Sequence, residues 1–216
     1  CSTAPLSPDQ WEKFESMYGV TLLQLYGMSE AGWICGNRHY RRRMGTVGPH
    51  AKHQEFIIVD SDGGQCPPNT EGEITIGGPQ TCIGTISPDG EFEDLAEARI
   101  KTGDLGMMDD DRFVRVTGRT KDLIIRGGVN IAPLEIDNVL LRHPKVREAA
   151  AVGVPDNIYG EEVVAYVAVK GGESLDENEV KDWCGDSLPD FKAPKRVFFM
   201  DELPKSDRGK IRRDDL

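Results

Sequence analysis

The chain has 216 residues with 26 Lys+Arg against 37 Asp+Glu, a formal net charge of −11, and is 38% hydrophobic and 29% charged. That balance suits a folded chain long enough for one large domain or two small ones, and it argues against a general nucleic-acid binder, which needs a broad basic face. No apolar run approaches the roughly 20 residues that cross a bilayer, and no basic-then-apolar leader opens the sequence, so no integral membrane segment is expected.

Taken in chain order, "SPDQWEKFESMYGV" predicts a short amphipathic helix, with Ser7 as N-cap, Pro8 at the first helical position and Gly19 ending it. "TLLQLYG" predicts a buried strand running into a tight turn at Gly27. From about residue 45 to 118 the texture is of short strands, "QEFIIVD", "GEITIGG" and "RFVRVTG", broken by "SDGGQCPPNTEG" and "SPDG". That pattern fits a small antiparallel sheet or barrel. Beyond "GRTKD" (118–122), helices and strands alternate. "PLEIDNVLLRHP" predicts a helix, "VREAAAVGVPD" and "EEVVAYVAVK" strands, "SLDENEVKDWCGDSL" a helix with Ser174 and Glu177 at capping-box spacing, and "KRVFFMD" a last strand. The fold class expected is α/β to α+β: a partial β-barrel-like end of a large N-terminal domain over 1–118, a joint at 119–121, and a small α+β C-terminal domain over 122–216.

The five cysteines, Cys1, Cys35, Cys66, Cys82 and Cys184, are odd in number and contain no CxxC pair. Neither a disulfide framework nor a structural zinc is therefore expected, and a cytoplasmic location is. His50 and His53 lie three apart with no third ligand nearby, too few for a metal site. The odd feature is the end. In so acidic a chain, "KSDRGKIRR" gathers Lys205, Arg208, Lys210, Arg212 and Arg213. The acidic whole makes this a local device, aimed at a small phosphate or carboxylate.

Three stretches carry a signal together that none carries alone: "LYGMSE" (25–30), "KTGDL" (101–105) joined to "GRTKDLIIRGGVNIAPLEID" (118–137), and "LPKSDRGKIRR" (203–213). In this order and spacing they resemble the adenylate-forming superfamily of acyl-CoA synthetases, nonribosomal peptide synthetase adenylation domains and luciferases. "STAPLSP" (2–8), "GTVGP" (45–49) and "HPKVREAAAVGVPDNIYGE" (143–161) extend the resemblance over essentially the whole chain.

The resemblance implies ATP, Mg²⁺ and CoA as cofactors and a small-molecule carboxylate as substrate. It implies a nucleotide site built from Ala4, Pro5, Tyr26, Gly27, Met28, Ser29, Asp104 and Arg119. Tyr26 offers a flat face to adenine, Gly27 lets backbone approach the ligand, and Ser29 donates to a phosphate oxygen. Glu30 is the implied metal ligand, a hard carboxylate suited to Mg²⁺. Asp104, assisted by Arg119, would accept the ribose hydroxyls. Lys121 is the implied hinge pivot. Arg126, Gly127 and Gly128 would line the passage for the pantetheine thiol. Lys210, after Gly209, would reach the reacting carboxylate and α-phosphate, with the other basic residues left as a solvated face. Taken alone, "YGMSE" is equally well an ordinary strand-to-helix turn and "RGG" a plain β-turn. Met28 and Trp33 point to an apolar wall, without specifying the acid.

The chain departs from the family in having Ser29 where Thr is usual, "EARIK" before Asp104 where aromatics are common, and a short "GPQTCIGTISPDG" stretch. The family's phosphate-gripping loop has no match, and no GxxxxGK[ST] occurs. The reading is therefore a C-terminal portion of an AMP-forming carboxylate–CoA ligase, lacking the N-terminal portion and inactive alone. An adenylation enzyme loading a carrier protein and a truncated non-catalytic binding module are the alternatives.

Overall fold

The computed structural model describes residues 1–2, 6–95 and 99–216. The chain forms two compact units, Cys1–Thr120 and Lys121–Leu216. Among the described residues no helix is long and apolar enough to cross a membrane, and all five cysteines are free.

The first unit opens with helix α1 (Pro8–Tyr18). The Ser7 hydroxyl accepts from the Gln10 amide at 3.2 Å while the Gln10 side chain accepts from the Ser7 amide at 3.4 Å, a reciprocal cap that stabilises the helix by about 1 kcal/mol. Gly19 ends it at φ +62°, a conformation that favours glycine. The helix has one anchor, Trp11, which is fully buried and donates its indole N–H to Glu15 at 3.0 Å, while Phe14, Met17 and Tyr18 stay exposed.

A hairpin of β1 (Leu25–Met28) and β2 (Gly32–Gly36) follows. The strand expected from Thr21 starts later, is half-exposed rather than buried, and does not turn at Gly27. Gly27 lies inside β1, at an irregularity in register, and the turn falls on Ser29–Ala31. The reason is steric: a Cβ on Gly27 would sit 2.2 Å from the Gly32 carbonyl oxygen. Glycine is needed here for close approach of the two strands, not for a turn. Gly27→Ala is expected to destabilise the first unit by about 1–3 kcal/mol, read as a lower unfolding midpoint in urea; an unchanged midpoint would contradict this packing.

The main sheet comprises β3 (Gly48–Pro49), β4 (Glu55–Val59), β5 (Gly72–Gly77), β8 (Ile100–Met108) and β9 (Phe113–Arg119), with β6 (Gly84–Ile86) and β7 (Phe92–Asp94) forming a separate small hairpin. Its order is β3-β9-β8-β5-β4, antiparallel throughout. It is an open sheet, and no closed barrel is formed by the described strands. Inward residues at period two, Phe56, Ile58, Ile74, Ile76 and Val114, pack with Ile34 and Cys35 of β2 into one core.

A single 3₁₀ turn (Thr120–Asp122) spans the boundary, and the second unit continues through β10 (Ile124–Arg126), β11 (Val129–Ile131), α2 (Pro133–Leu141), β12 (Val146–Asp156), β13 (Gly160–Val169), α3 (Glu177–Gly185) and β14 (Arg196–Phe199). The long β12–β13 pair is the spine of its sheet, with β10 and β14 on β13. β14 runs parallel to β13, because α3 carries the chain back across the sheet before β14 joins it. Ile136 and Leu140 of α2 and Val180 and Cys184 of α3 cover Ala149, Ala151, Val163, Ala165 and Val167. The cap of α3 differs from expectation. Asp176, not Ser174, is the N-cap, accepting from the Glu179 amide at 3.0 Å. A carboxylate there also answers the positive helix end.

His143 closes α2 from below. It is 6% exposed, lies edge-on to Trp183 at 4.9 Å, and accepts the Lys145 amide at Nδ1. Burial, with the nearby Lys145 and Lys170 charges, holds its pKa below the ordinary imidazole value, against the pull of Glu179. The unfolded chain therefore takes up this proton first as pH falls below about 6.5. The stability it contributes is complete above that pH and is lost as pH falls through the folded-state pKa. His50, lowered by burial and Arg112, acts in the same direction. The melting temperature is expected to drop between pH 7.5 and 5.5, and His143→Gln to flatten that drop; an equally steep profile in the variant would exclude His143 as its source.

Candidate active site

In the first unit, β1 and β8 bring together residues 78 apart in sequence. The Tyr26 hydroxyl donates to Asp104 Oδ2 at 2.6 Å. On the other side, Arg119 Nε donates to Asp104 Oδ1 at 3.1 Å. The β8–β9 register places Asp104 directly opposite Arg119, with a slip just beyond, between Leu105 and Gly106. Gly103, at φ +71°, sets the backbone ahead of Asp104, and the Thr102 hydroxyl accepts the Asp104 amide at 3.1 Å while donating to the Ile74 carbonyl at 2.8 Å. Asp104 is thus fixed by backbone and side chain at once, with its carboxylate 19% exposed. Burial, then the adjacent Asp104 charge, raises the Tyr26 pKa, so the phenol stays a donor at neutral pH. Each Asp104 oxygen keeps a further lone pair, so the group can still accept two hydroxyls from a ligand.

The remaining nucleotide-site candidates of this unit cluster on the same hairpin. Met28 packs against the core, Ser29 is exposed in the turn, and Glu30 is half-buried, with its carbonyl accepting the Cys82 amide at 2.7 Å. Trp33 keeps 45% of its surface exposed, donates to the Cys35 carbonyl at 2.6 Å and lies under Arg38 at 5.6 Å. Ala4 and Pro5 fall outside the described residues. No group of three or more His, Cys, Asp or Glu among the described residues gathers in a metal-holding arrangement. His50 instead stacks on Phe56 at 5.5 Å.

In the second unit, Lys121 lies in the 3₁₀ turn, 3.3 Å from Asp214 and 3.9 Å from Asp122. Gly127 and Gly128, at φ +58° and +82°, form the two-residue turn joining β10 to β11, where both positions demand the left-handed conformation. Arg126 is not a free cation. It forks onto Glu162 at 2.6 and 3.0 Å and lies 4.1 Å from the Tyr159 ring. The hydrogen bonds to Glu162 raise its pKa further.

The tail divides its charges unequally. Lys205 bonds Glu148 and Glu202, both at 2.8 Å, and Leu203, 2% exposed, donates its amide to Glu148 at 3.2 Å. Arg212 pairs with Asp215 at 2.9 Å. Arg213 donates to the Ala151 carbonyl at 2.6 Å, to the buried Asp137 carboxylate, and approaches Asp122 at 3.7 Å. Between these anchors the chain makes a tight turn. Lys205 pairs with Ile211, Ser206 donates to the Lys210 carbonyl at 2.8 Å, and Gly209 takes φ +75°. Lys210 is exposed at the exit of this turn, and its ammonium has no carboxylate partner among the described residues. The expectation that the neighbouring basic residues form a solvated face is corrected for Lys205 and Arg213, while Arg208 and Arg212 stay exposed. Arg213 and Lys205 are anchors, because a buried carboxylate at Asp137 and a half-buried one at Glu148 require cations.

Asp137, Glu148, Glu162 and Arg213 were not anticipated as partners. A signal was present for Asp137: it falls on the apolar face of α2 with Pro133, Ile136 and Leu140, where a lone carboxylate calls for a buried partner. Which cation supplies it is not written locally.

Residues 1–84 match the family described as AMP-binding enzyme, and residues 135–210 match the AMP-binding enzyme C-terminal domain. The chain belongs to the adenylate-forming, AMP-binding enzymes. Among curated members of that family, it is 37% identical over 219 residues to oxalate–CoA ligase of Saccharomyces cerevisiae, covering 99% of this chain and 40% of that protein. It is 38% identical over 211 residues to long-chain-fatty-acid–CoA ligase of Escherichia coli O6:H1, covering 96% and 37% respectively. Among solved structures, ATP-bound MatB from Rhodopseudomonas palustris superposes with a TM-score of 0.89 at 32% identity, over 99% of this chain and 43% of that one. The chain thus spans about two fifths of the length of the curated relatives it matches.

Proposed function

We propose that this chain supplies the ribose-binding, hinge and adenylation-lysine parts of an AMP-forming carboxylate–CoA ligase. The complete protein joins a carboxylate to AMP, releases pyrophosphate, and then passes the acyl group to the CoA thiol. The observation that carries this reading is Asp104, held between the Tyr26 hydroxyl and Arg119 with lone pairs to spare on both oxygens. A carboxylate fixed in that way is suited to a vicinal diol. The relatives named above support the choice of CoA as acceptor.

Tyr26 offers its ring to adenine, Gly27 and Met28 line the approach, and Ser29 donates to the α-phosphate; Ala4 and Pro5 complete the nucleotide site. Glu30 is a single hard oxygen donor. That fits Mg²⁺, which is commonly held by one carboxylate, water and the nucleotide's own phosphates rather than by a protein cage. When bound, the ion neutralises phosphate charge. Lys121, in the 119–121 joint, is the pivot between the two half-reactions. Because Arg126 is committed to Glu162, passage of the pantetheine arm falls to the Gly127–Gly128 turn, which presents no side chain. Lys210 meets the carboxylate and α-phosphate during adenylation.

The test uses the full-length protein that carries this chain. Carboxylate-dependent ATP–pyrophosphate exchange is measured across short dicarboxylic, long-chain and aromatic acids, followed by thioester formation with CoA or a carrier protein. Exchange followed by CoA turnover is expected. Loading of carrier protein alone would move the reading to an adenylation domain, and absence of exchange with every acid would reject the ligase reading.

A further inference from the structure

We propose that Arg213 is the positioning residue for Lys210. The inference rests on the reading of Lys210 as the adenylation lysine, and its carrying observation is the two-ended clamp on the turn that bears it. At the entry, Glu148 holds both the Lys205 ammonium and the Leu203 amide. At the exit, Arg213 reaches the Asp137 carboxylate and the Ala151 carbonyl together, with a side chain only 19% exposed. The Asp137 carboxylate is itself 6% exposed and also accepts the Ala151 amide at 2.7 Å. One guanidinium therefore pins the chain end to both α2 and β12, elements in the interior of the second unit.

The planar fork matters. A lysine at position 213 could neutralise Asp137 but could not also reach the Ala151 carbonyl in the same geometry. The segment between the anchors is short and internally bonded, through Ser206 and Gly209, so fixing its two ends fixes the Cα of Lys210. Without the exit anchor, the turn is held to the unit at its entry and by the exposed Lys121–Asp214 pair alone, and the ammonium samples many positions for each productive one. The neighbouring residue extends the same network. Asp214 pairs with Lys121, and Asp122 lies beside Arg213, so the clamp also ties the tail to the turn proposed as the hinge. Every partner belongs to Lys121–Leu216. The clamp therefore moves with this unit and holds in both half-reactions, although only adenylation uses the lysine it positions.

The experiment measures the two half-reactions separately in the full-length protein: ATP–pyrophosphate exchange, and CoA transfer from a preformed acyl-adenylate. Arg213→Ala strands a buried carboxylate and risks misfolding, so the informative variant is Arg213→Leu with Asp137→Leu, which removes both charges and leaves the site filled. Arg213→Lys is the conservative partner, and Lys210→Ala the reference. The double variant is expected to melt near the wild type, to lose about 10–100-fold in exchange, and to retain CoA transfer. Arg213→Lys is expected to recover part of the exchange. If exchange is unchanged in the double variant while Lys210→Ala abolishes it, the clamp is overturned and the lysine reading stands. Equal loss of both half-reactions also overturns it, since that is what a purely structural pair would do. If Lys210→Ala itself leaves exchange intact, the lysine reading fails and takes this inference with it.

Discussion

Replacing Lys210 with Ala in the full-length protein is expected to lower carboxylate-dependent ATP–pyrophosphate exchange by about 10²–10³-fold while leaving the melting temperature unchanged. The activity half of this expectation is electrostatic. A carboxylate attacking a phosphate brings two anions together, and an ammonium about 4 Å from the developing charge is worth roughly 4 kcal/mol at an effective dielectric of 20. Lys210 suits the role because it is the exposed tail lysine whose charge is not already committed: Lys205 is held by Glu148 and Glu202, and no carboxylate among the described residues pairs with Lys210. The stability half follows from the same fact. The turn is closed by Ser206, by Gly209 and by the Lys205–Ile211 pairing, none of which uses the Lys210 ammonium. An exposed substitution that removes no such contact normally changes stability by less than about 0.5 kcal/mol. Parallel exchange assays and thermal melts decide the matter. A variant that retains exchange would remove Lys210 from the chemistry, and one that loses exchange only by melting would make the residue structural.

Asp104→Ala is the second large effect. It is expected to raise the KM for ATP a hundredfold or more, because two hydrogen bonds to a charged acceptor, each worth about 1.5–3 kcal/mol, are lost together. The specific readout is discrimination between ATP and 2′,3′-dideoxy-ATP, which the wild type is expected to show and the variant to lose. Tyr26→Phe separates the two contributions of that tyrosine. It retains the ring face but removes the hydroxyl that donates to Asp104 at 2.6 Å. A rise of about tenfold in KM for ATP is expected, from one such bond. If Asp104→Ala weakens ATP and the dideoxy analogue equally, Asp104 does not read the ribose. Arg119, half-exposed on the outer side of the carboxylate, is the less costly partner to lose.

These expectations divide according to what a linear chain can express. Helix α1 was legible because all of its determinants are neighbours: Ser7 and Gln10 cap each other, Pro8 begins it and Gly19 ends it. The β12–β13 pair was legible for a similar reason, since "AAAV" and "VVAYVAV" are apolar runs long enough to require burial on both faces. The hairpin at 25–36 was less legible. Gly27 marks turns and close approaches alike, and only the Gly32 carbonyl on the opposing strand settles which. The cap of α3 shifted from Ser174 to Asp176 because two capping residues stand two apart and the helix start is chosen by how Val180 and Cys184 reach the core. Whether the strands form an open sheet or a barrel was left open by the sequence, because alternating strands specify pairing but not closure.

The sequence by itself determined the residue types of the site, the order in which they occur and the family, since these reside in short stretches whose chemistry is local: a tyrosine and glycine ahead of a polar turn, an aspartate after Thr-Gly, a lysine after Gly209. The tertiary structure alone decided which charges are committed. Asp104 and Arg119 meet because the β8–β9 register aligns them across 15 residues, Tyr26 joins them from 78 residues away, and Arg213 finds Asp137 across 76. A basic cluster read along the chain looks uniform. Lys205 and Arg213 separate as anchors from the exposed Arg208 and Lys210 only when burial makes some carboxylates too costly to leave without a cation.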